Sequence, residues 1–182
     1  LYPAPSRLAD KSGAIIGYKN NVVFPVELIA QDASKAVTLK LTAAYGVCKD
    51  LCIPAEASLE LEVLPNAGVS QPIAAALAYV PRVVPVAGQD PMLANWRLDE
   101  GGSRPLLVFD VDDPAAESGD AFVEATDGIY VPLPKKIASS NGSTTYELDL
   151  TDDGGPKALA GKQLTVTMVG AKGQSQAIIQ LQ

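Results

Sequence analysis

Residues 37–63 read VTLKLTAAYGVCKDLCIPAEASLELEV, and the reading of this stretch decides the fold. Its first seven residues alternate: Val37, Leu39, Leu41 and Ala43 share one face of an extended chain, and Thr38, Lys40 and Thr42 the other. Successive side chains of a strand point to opposite faces, so this is the pattern of a half-buried antiparallel strand. SLELEV at 58–63 repeats it, with Leu59, Leu61 and Val63 on the apolar side and Glu60 and Glu62 on the polar side. The chain's two cysteines, Cys48 and Cys52, lie in the connection between these strands, separated by three residues.

In an extended strand, residues four positions apart are about 13 Å distant, whereas a disulfide needs Cα atoms within about 4.4–6.8 Å. CKDLC is therefore a local turn if its thiols are ever joined, and Pro54 helps fix the chain as it leaves. Three uses of the pair stand open on the residues alone. As a staple it is inefficient, because closing a five-residue loop constrains the unfolded chain by only about 2 kcal/mol, against about 4–5 for a loop of about 100. As a metal clip, two thiolates suit Cu(I), but a four-coordinate zinc site needs two further ligands, and only carboxylates such as Asp50 and Glu56 lie near. As an exchanging dithiol, the pair needs an accessible sulfur and a thiolate fraction set by nearby charge, which Lys49 favours and Asp50 opposes. The spacing is not the C-x-x-C of a thioredoxin helix.

Outward from this stretch, VVFPVELIA at 22–30 reads as an edge strand or bulge because Pro25 gives a ladder no N–H. LYPAPSRL at the start reads as a strand end running into a loop, so the first unit reads as entered partway through its sequence. Either it lacks its first strands or it completes its sheets by packing on the second unit. After Pro65, Ser70 as an N-cap and Pro72 in the first turn predict a short helix to about Tyr79, followed by a proline-punctuated linker to about Pro91.

Six strands are then expected, at 104–111, 121–125, 128–133, 144–150, 162–170 and 175–182, with turn signals at 126–128, 140–143, 152–155 and 171–174. The fold class expected is all-β: two immunoglobulin-like β-sandwich domains joined by the short helix and the Pro-rich linker. The boundaries are 1–66 for the first domain, 67–91 for helix and linker, and 92–182 for the second domain. Trp96 suggests an anchor at the domain boundary. Asp110, Asp112 and Asp113 suggest a charged loop without the spacing of an EF-hand.

Composition excludes whole classes of chemistry. Of 182 residues none is histidine, which removes Ser-His-Asp and Cys-His catalysis and histidine-bearing zinc sites. Twenty-one acidic residues against fourteen basic ones give a net charge of -7, dispersed along the chain, so nucleic acid and anionic membrane surfaces are not expected partners. No apolar run is long enough to span a bilayer, and the chain starts at Leu1 without the basic start and apolar core of a secretory signal. It reads as a mature or excised piece of something longer.

GYKNNVVFPVEL followed by VTLKLTAAYGVCKDLCIPAEASLELEV, from about Ile16 to Val63, resembles the N-terminal periplasmic domain of the transmembrane thiol:disulfide reductases of the DsbD and ScsB kind. Tyr45-Gly46, the paired cysteines and Cys52-Ile53-Pro54 stand in the family's order. The region from RPLLVFDV through FVEATDGIYVPLP to the C-terminus resembles the second β-domain of the ScsB-like branch. The resemblance implies a periplasmic protein-disulfide reductase module. It would take electrons from the thioredoxin-like and transmembrane domains of the same reductase and pass them to thioredoxin-fold or peroxidase-type acceptors. It further implies that Cys52 forms the mixed disulfides and Cys48 resolves them, with no bound cofactor and no metal. The three-residue spacing here is shorter than in the DsbD branch. Because the family shields its pair with an aromatic cap loop, Tyr18 and Tyr45 are candidates for shielding, beside Lys49, Asp50 and Glu56 for tuning. Each has a plainer use: Tyr45 as a core or sheet-edge aromatic, Tyr18 as a turn-flanking packing residue, Glu56 as a solvated carboxylate. Competing functions are a non-catalytic scaffold with a structural disulfide, and a Cu(I)-binding dithiol in keeping with the ScsB branch's part in copper tolerance.

Overall fold

The structure, a computed structural model, describes residues 1–10, 13–49, 51–65, 67–113, 119–151 and 155–181. Strands dominate it: β1 (Ser6–Asp10), β2 (Gly13–Gly17), β3 (Val37–Cys48), β4 (Cys52–Val63), then helix α1 (Gln71–Leu77), β5 (Met92–Asp99), β6 (Leu106–Asp112), β7 (Asp120–Ala125), β8 (Lys135–Ser140), β9 (Ser143–Asp149), helix α2 (Gly155–Leu159), β10 (Gln163–Val169) and β11 (Gln174–Gln180). Every pair of named strands is antiparallel. The chain divides into two compact units, Leu1–Pro25 with Pro72–Gln182, and Val26–Gln71. No described helix is long and apolar enough to cross a membrane.

The larger unit is an immunoglobulin-like sandwich of a four-stranded sheet, β5-β6-β9-β8, and a three-stranded sheet, β11-β10-β7. Alternation builds its core. Leu107, Phe109 and Val111 of β6 and Tyr146 and Leu148 of β9 point inward. They join Ala121 and Val123 of β7, Leu164, Val166 and Met168 of β10, and Ile179 of β11 in one buried cluster. Phe109 and Tyr146 are cross-strand partners whose rings stack at 5.3 Å. Trp96 of β5, opposite Phe109, packs half-buried against the same core.

Phe122 is buried on the outer face of β7, and the N-terminal residues explain why. Arg7 of β1 lies 5.8 Å from its ring centroid and grips Asp120 with two hydrogen bonds, Nε to Oδ2 at 3.0 Å and Nη2 to Oδ1 at 2.8 Å. The same Nη2 donates to the Pro134 carbonyl at 2.9 Å. This planar fork fastens the β1–β2 hairpin to the sandwich.

The proline-rich stretch after α1 is tied to the edge of β11. Arg82 N–H donates to Gln174 O at 3.0 Å and Gln176 N–H to Arg82 O at 2.9 Å, a single parallel bridge. The Arg82 guanidinium meets Asp90, which is 1% exposed and also accepts Val86 N–H at 2.7 Å. A Cβ at position 173 would overlap Asp90 Oδ1, so only glycine lets β11 approach so closely.

Several expectations are corrected. Residues 22–30 form no strand: Phe24 packs edge-on against Tyr2 and Tyr18 at 5.4 and 5.3 Å, and Pro25 is buried, so ring packing rather than a ladder holds the start of this segment. Residues 128–133 form no strand: Thr126–Gly128 is a 3-10 turn in which Asp127 and Gly128 adopt φ of 65° and 69°, and residues 129–133 join no ladder. Pro132 gives no N–H, and the strand falls instead at β8. Asp110 and Asp112 are strand residues rather than a charged loop; Asp110 accepts Thr145 Oγ1–H at 2.7 Å. Among the turn signals, residues 152–154 lie outside the described residues, and Gly155 opens α2.

Candidate functional site

The smaller unit contains a ribbon of two twelve-residue strands, β3 and β4, paired without interruption from Val37↔Val63 to Cys48↔Cys52. Its register sorts the side chains completely. One face presents Val37, Leu39, Leu41, Ala43, Tyr45 and Val47 opposite Val63, Leu61, Leu59, Ala57, Ala55 and Ile53. The other presents Thr38, Lys40, Thr42, Ala44, Gly46 and Cys48 opposite Glu62, Glu60, Ser58, Glu56, Pro54 and Cys52. The cysteines therefore project from the polar face, at its end.

Cys48 and Cys52 are joined in a disulfide with a Cα separation of 4.0 Å. The two residues close the hairpin as a cross-strand pair of the closely spaced type, where Cα atoms stand about 4.5 Å apart rather than about 5.5 Å. A three-residue loop makes this possible, with Lys49 N–H donating to Leu51 O at 3.3 Å. The local turn expected from the spacing is thus the end of a ladder. Both cysteines are exposed, as is Lys49 beside them. The next pair on the same face, Gly46 and Pro54, leaves the sulfurs little cover: position 46 has no side chain, and the place a Cβ would take is 4.0 Å from Cys48 Sγ.

Other candidates sit as follows. Glu56 shares the polar face with the disulfide but is four residues from Cys52, roughly 13 Å along the strand and beyond a Debye length at physiological salt. Tyr45 is on the apolar face, opposite Ala55 and half exposed. Tyr18 belongs to the larger unit, where it packs on Phe24 and donates its hydroxyl to Pro3 O at 2.8 Å; burial, then the charge of Glu124, raises its pKa. Asp50 lies outside the described residues. Among the described residues no group of three or more His, Cys, Asp or Glu could hold a metal ion.

Two features of the site were missed from sequence. Leu51, 75% exposed, puts an apolar side chain next to Cys52 in a loop where polar residues are the rule. Gly46 bares one flank of Cys48. The signal for both was available, a leucine in a hairpin loop and a glycine inside a strand pattern.

The apolar face is itself a finding. Leu41, Tyr45, Val47, Ile53, Leu59 and Leu61 are between 49% and 63% exposed, a contiguous patch of a kind soluble surfaces seldom carry. The ion pair Lys40–Glu60, 3.3 Å on the polar face, is solvent-exposed and contributes little.

Residues 1–64 match the family described as thiol:disulfide interchange protein DsbD, N-terminal, a span that includes the whole ribbon and its disulfide. Among solved structures, the N-terminal periplasmic domain of ScsB from Proteus mirabilis is similar, with a TM-score of 0.71 at 21% identity, covering 98% of this chain and 70% of that one. At that identity the likeness is one of fold. No curated protein matches the chain. The resemblance read from residues 16–63 is borne out by the family match and the fold.

Proposed function

We propose that this chain is a periplasmic electron-relay module of a protein-disulfide reductase. It takes two electrons from the thioredoxin-like domain of that reductase, itself supplied through the transmembrane domain, and passes them to thioredoxin-fold or peroxidase-type thiol proteins. The observation that carries this reading is an exposed disulfide closing the tip of a ribbon, within the span that matches the DsbD N-terminal family.

The chemistry is exchange of one disulfide for another, with no cofactor. A donor thiolate attacks Cys52 Sγ; the Cys48–Cys52 bond breaks and Cys48 leaves as a thiolate, which Lys49 favours. The donor's second thiolate then attacks its own sulfur in the mixed disulfide, so the donor becomes a disulfide and Cys52 is freed. Cys52 thiolate next attacks the acceptor's disulfide, expelling one acceptor thiolate. Cys48 thiolate finally attacks Cys52 Sγ, which restores the intramolecular disulfide and releases the acceptor as a dithiol. Two electrons have moved, and the thiolates take protons from water.

The assignment of roles is tested with Cys48→Ala and Cys52→Ala in transfer from a reduced thioredoxin-like donor to an oxidised acceptor. Loss of Cys52 abolishes transfer, while loss of Cys48 accumulates a mixed disulfide through Cys52, visible by mass spectrometry without reductant. Native transfer rates in both variants would overturn the proposal.

A further inference from the structure

The outer face of β7 presents Asp120, Phe122 and Glu124 in a row, because residues two apart share a face. The first part of the row is filled from within the chain: Arg7 lies over the Phe122 ring and pairs with Asp120 through both carboxylate oxygens. Glu124 is exposed, and among the described residues no cation pairs with it. It opens onto a cleft of about 520 Å³ in the larger unit, walled by Tyr2, Tyr18, Ile16, Pro81 and Phe122, in which it is the only charged side chain among the described residues. The backbone nitrogen of Leu1, at the rim, donates to the Pro25 carbonyl at 2.6 Å. The charge of Glu124 reaches the cleft wall, since it helps raise the pKa of Tyr18 after burial has done so.

We infer that this cleft binds an arginine side chain of a partner's extended peptide segment, the guanidinium pairing with Glu124 and lying against the Tyr18 and Tyr2 rings. A guanidinium fits better than an ammonium because it is planar, weakly hydrated, matches a carboxylate and stacks on aromatic faces. The Arg7–Phe122–Asp120 arrangement shows the same combination already satisfied one step along the strand. A peptide rather than a free cation is favoured by a second cleft, of about 430 Å³, that shares Pro3 and Tyr18 with the first. Val22, Ala75 and Tyr79 give it an apolar wall, and Lys19 replaces the carboxylate. A segment crossing both is therefore basic at the Glu124 end and apolar at the other. This inference does not depend on the disulfide's role.

The test titrates the oxidised 182-residue protein with the peptide acetyl-Arg-Pro-Leu-amide, following amide shifts of Gly17, Tyr18 and Glu124 by NMR. Saturable shifts at these positions are expected at millimolar peptide or below. The citrulline peptide, isosteric but uncharged, and Glu124→Gln should each bind about tenfold more weakly, the loss expected for one charge-assisted pair on an aromatic surface. Glu124 is exposed, so the variant keeps its fold, which its melting curve verifies. Absence of saturable shifts, equal binding of the citrulline peptide, unchanged affinity in Glu124→Gln, or equal binding of agmatine as a free cation would each overturn the inference.

Discussion

Tyr146 couples the core of the larger unit to its titration behaviour. It is buried against Phe109 and donates its hydroxyl to Gly119 O at 3.1 Å. Burial pushes its pKa up to about 12, with the negative charge of Asp120 adding to the effect and Arg7 opposing it. The raised value means the fold favours the neutral phenol. Its contribution is fully present below the unfolded pKa of about 10 and is lost as pH rises through the folded value. Tyr146→Phe should therefore cost about 1 kcal/mol at neutral pH, for one hydrogen bond. Between pH 10 and about 12 it should lose stability less steeply than the native protein, as measured by urea denaturation across that range. At this scale Cys48 and Cys52 were legible because a chain with two cysteines and no histidine leaves few chemistries. Glu124 was not, because a lone glutamate in a strand pattern reads as a solvated residue, and only the fold shows that aromatic rings surround the space it faces.

Arg7 fastens the β1–β2 hairpin to the sandwich. Arg7→Ala removes the fork to Asp120 and the bond to Pro134 O and uncovers Phe122. Removing charge-assisted hydrogen bonds of a partly exposed pair should destabilise the larger unit by about 1–2 kcal/mol. Hydrogen exchange should rise in residues 6–17 and 120–125 while β6 and β9 stay protected; uniform loss of protection would show that Arg7 does not act locally. Strands whose two faces differ in polarity, such as β3, β4 and β9, could be read from sequence. The strand β5 could not, because the register shifts between Leu93 and Asn95 and the bulge breaks the alternation. The strand β8 escaped because it is exposed throughout and carries Lys135 and Lys136, the charges that keep a sheet edge from pairing further. Residues 22–30 misled in the opposite direction, since β-branched composition describes a fit to pleated surfaces and not a ladder partner.

For the whole molecule, the sandwich core and the disulfide lie in different compact units. Reduction of Cys48–Cys52 removes a constraint worth only about 2 kcal/mol in the chain-entropy model, and removes it from the ribbon alone. Calorimetry of the oxidised and reduced protein should therefore give the same main transition, that of the larger unit, within a few degrees. A large fall in that transition on reduction would assign the disulfide a structural part instead. The net charge of -7 works at the same scale, drawing basic segments toward the surface and keeping copies apart.

A two-stranded sheet has a front and a back, and this one divides its residues between them without exception. The backbone is the partition: every valine, leucine and isoleucine of the two strands stands on one side, and the two sulfurs stand on the other. A reagent reaching Cys48 or Cys52 comes from the side where Gly46 and Pro54 stand low, away from Leu39, Leu41, Leu59 and Leu61. The apolar surface and the surroundings of the disulfide are thus independent variables in this ribbon. Leu41, Leu59 or Leu61 can change without altering how the disulfide is approached, and the cysteines can change without altering the surface that their own strands turn away from them.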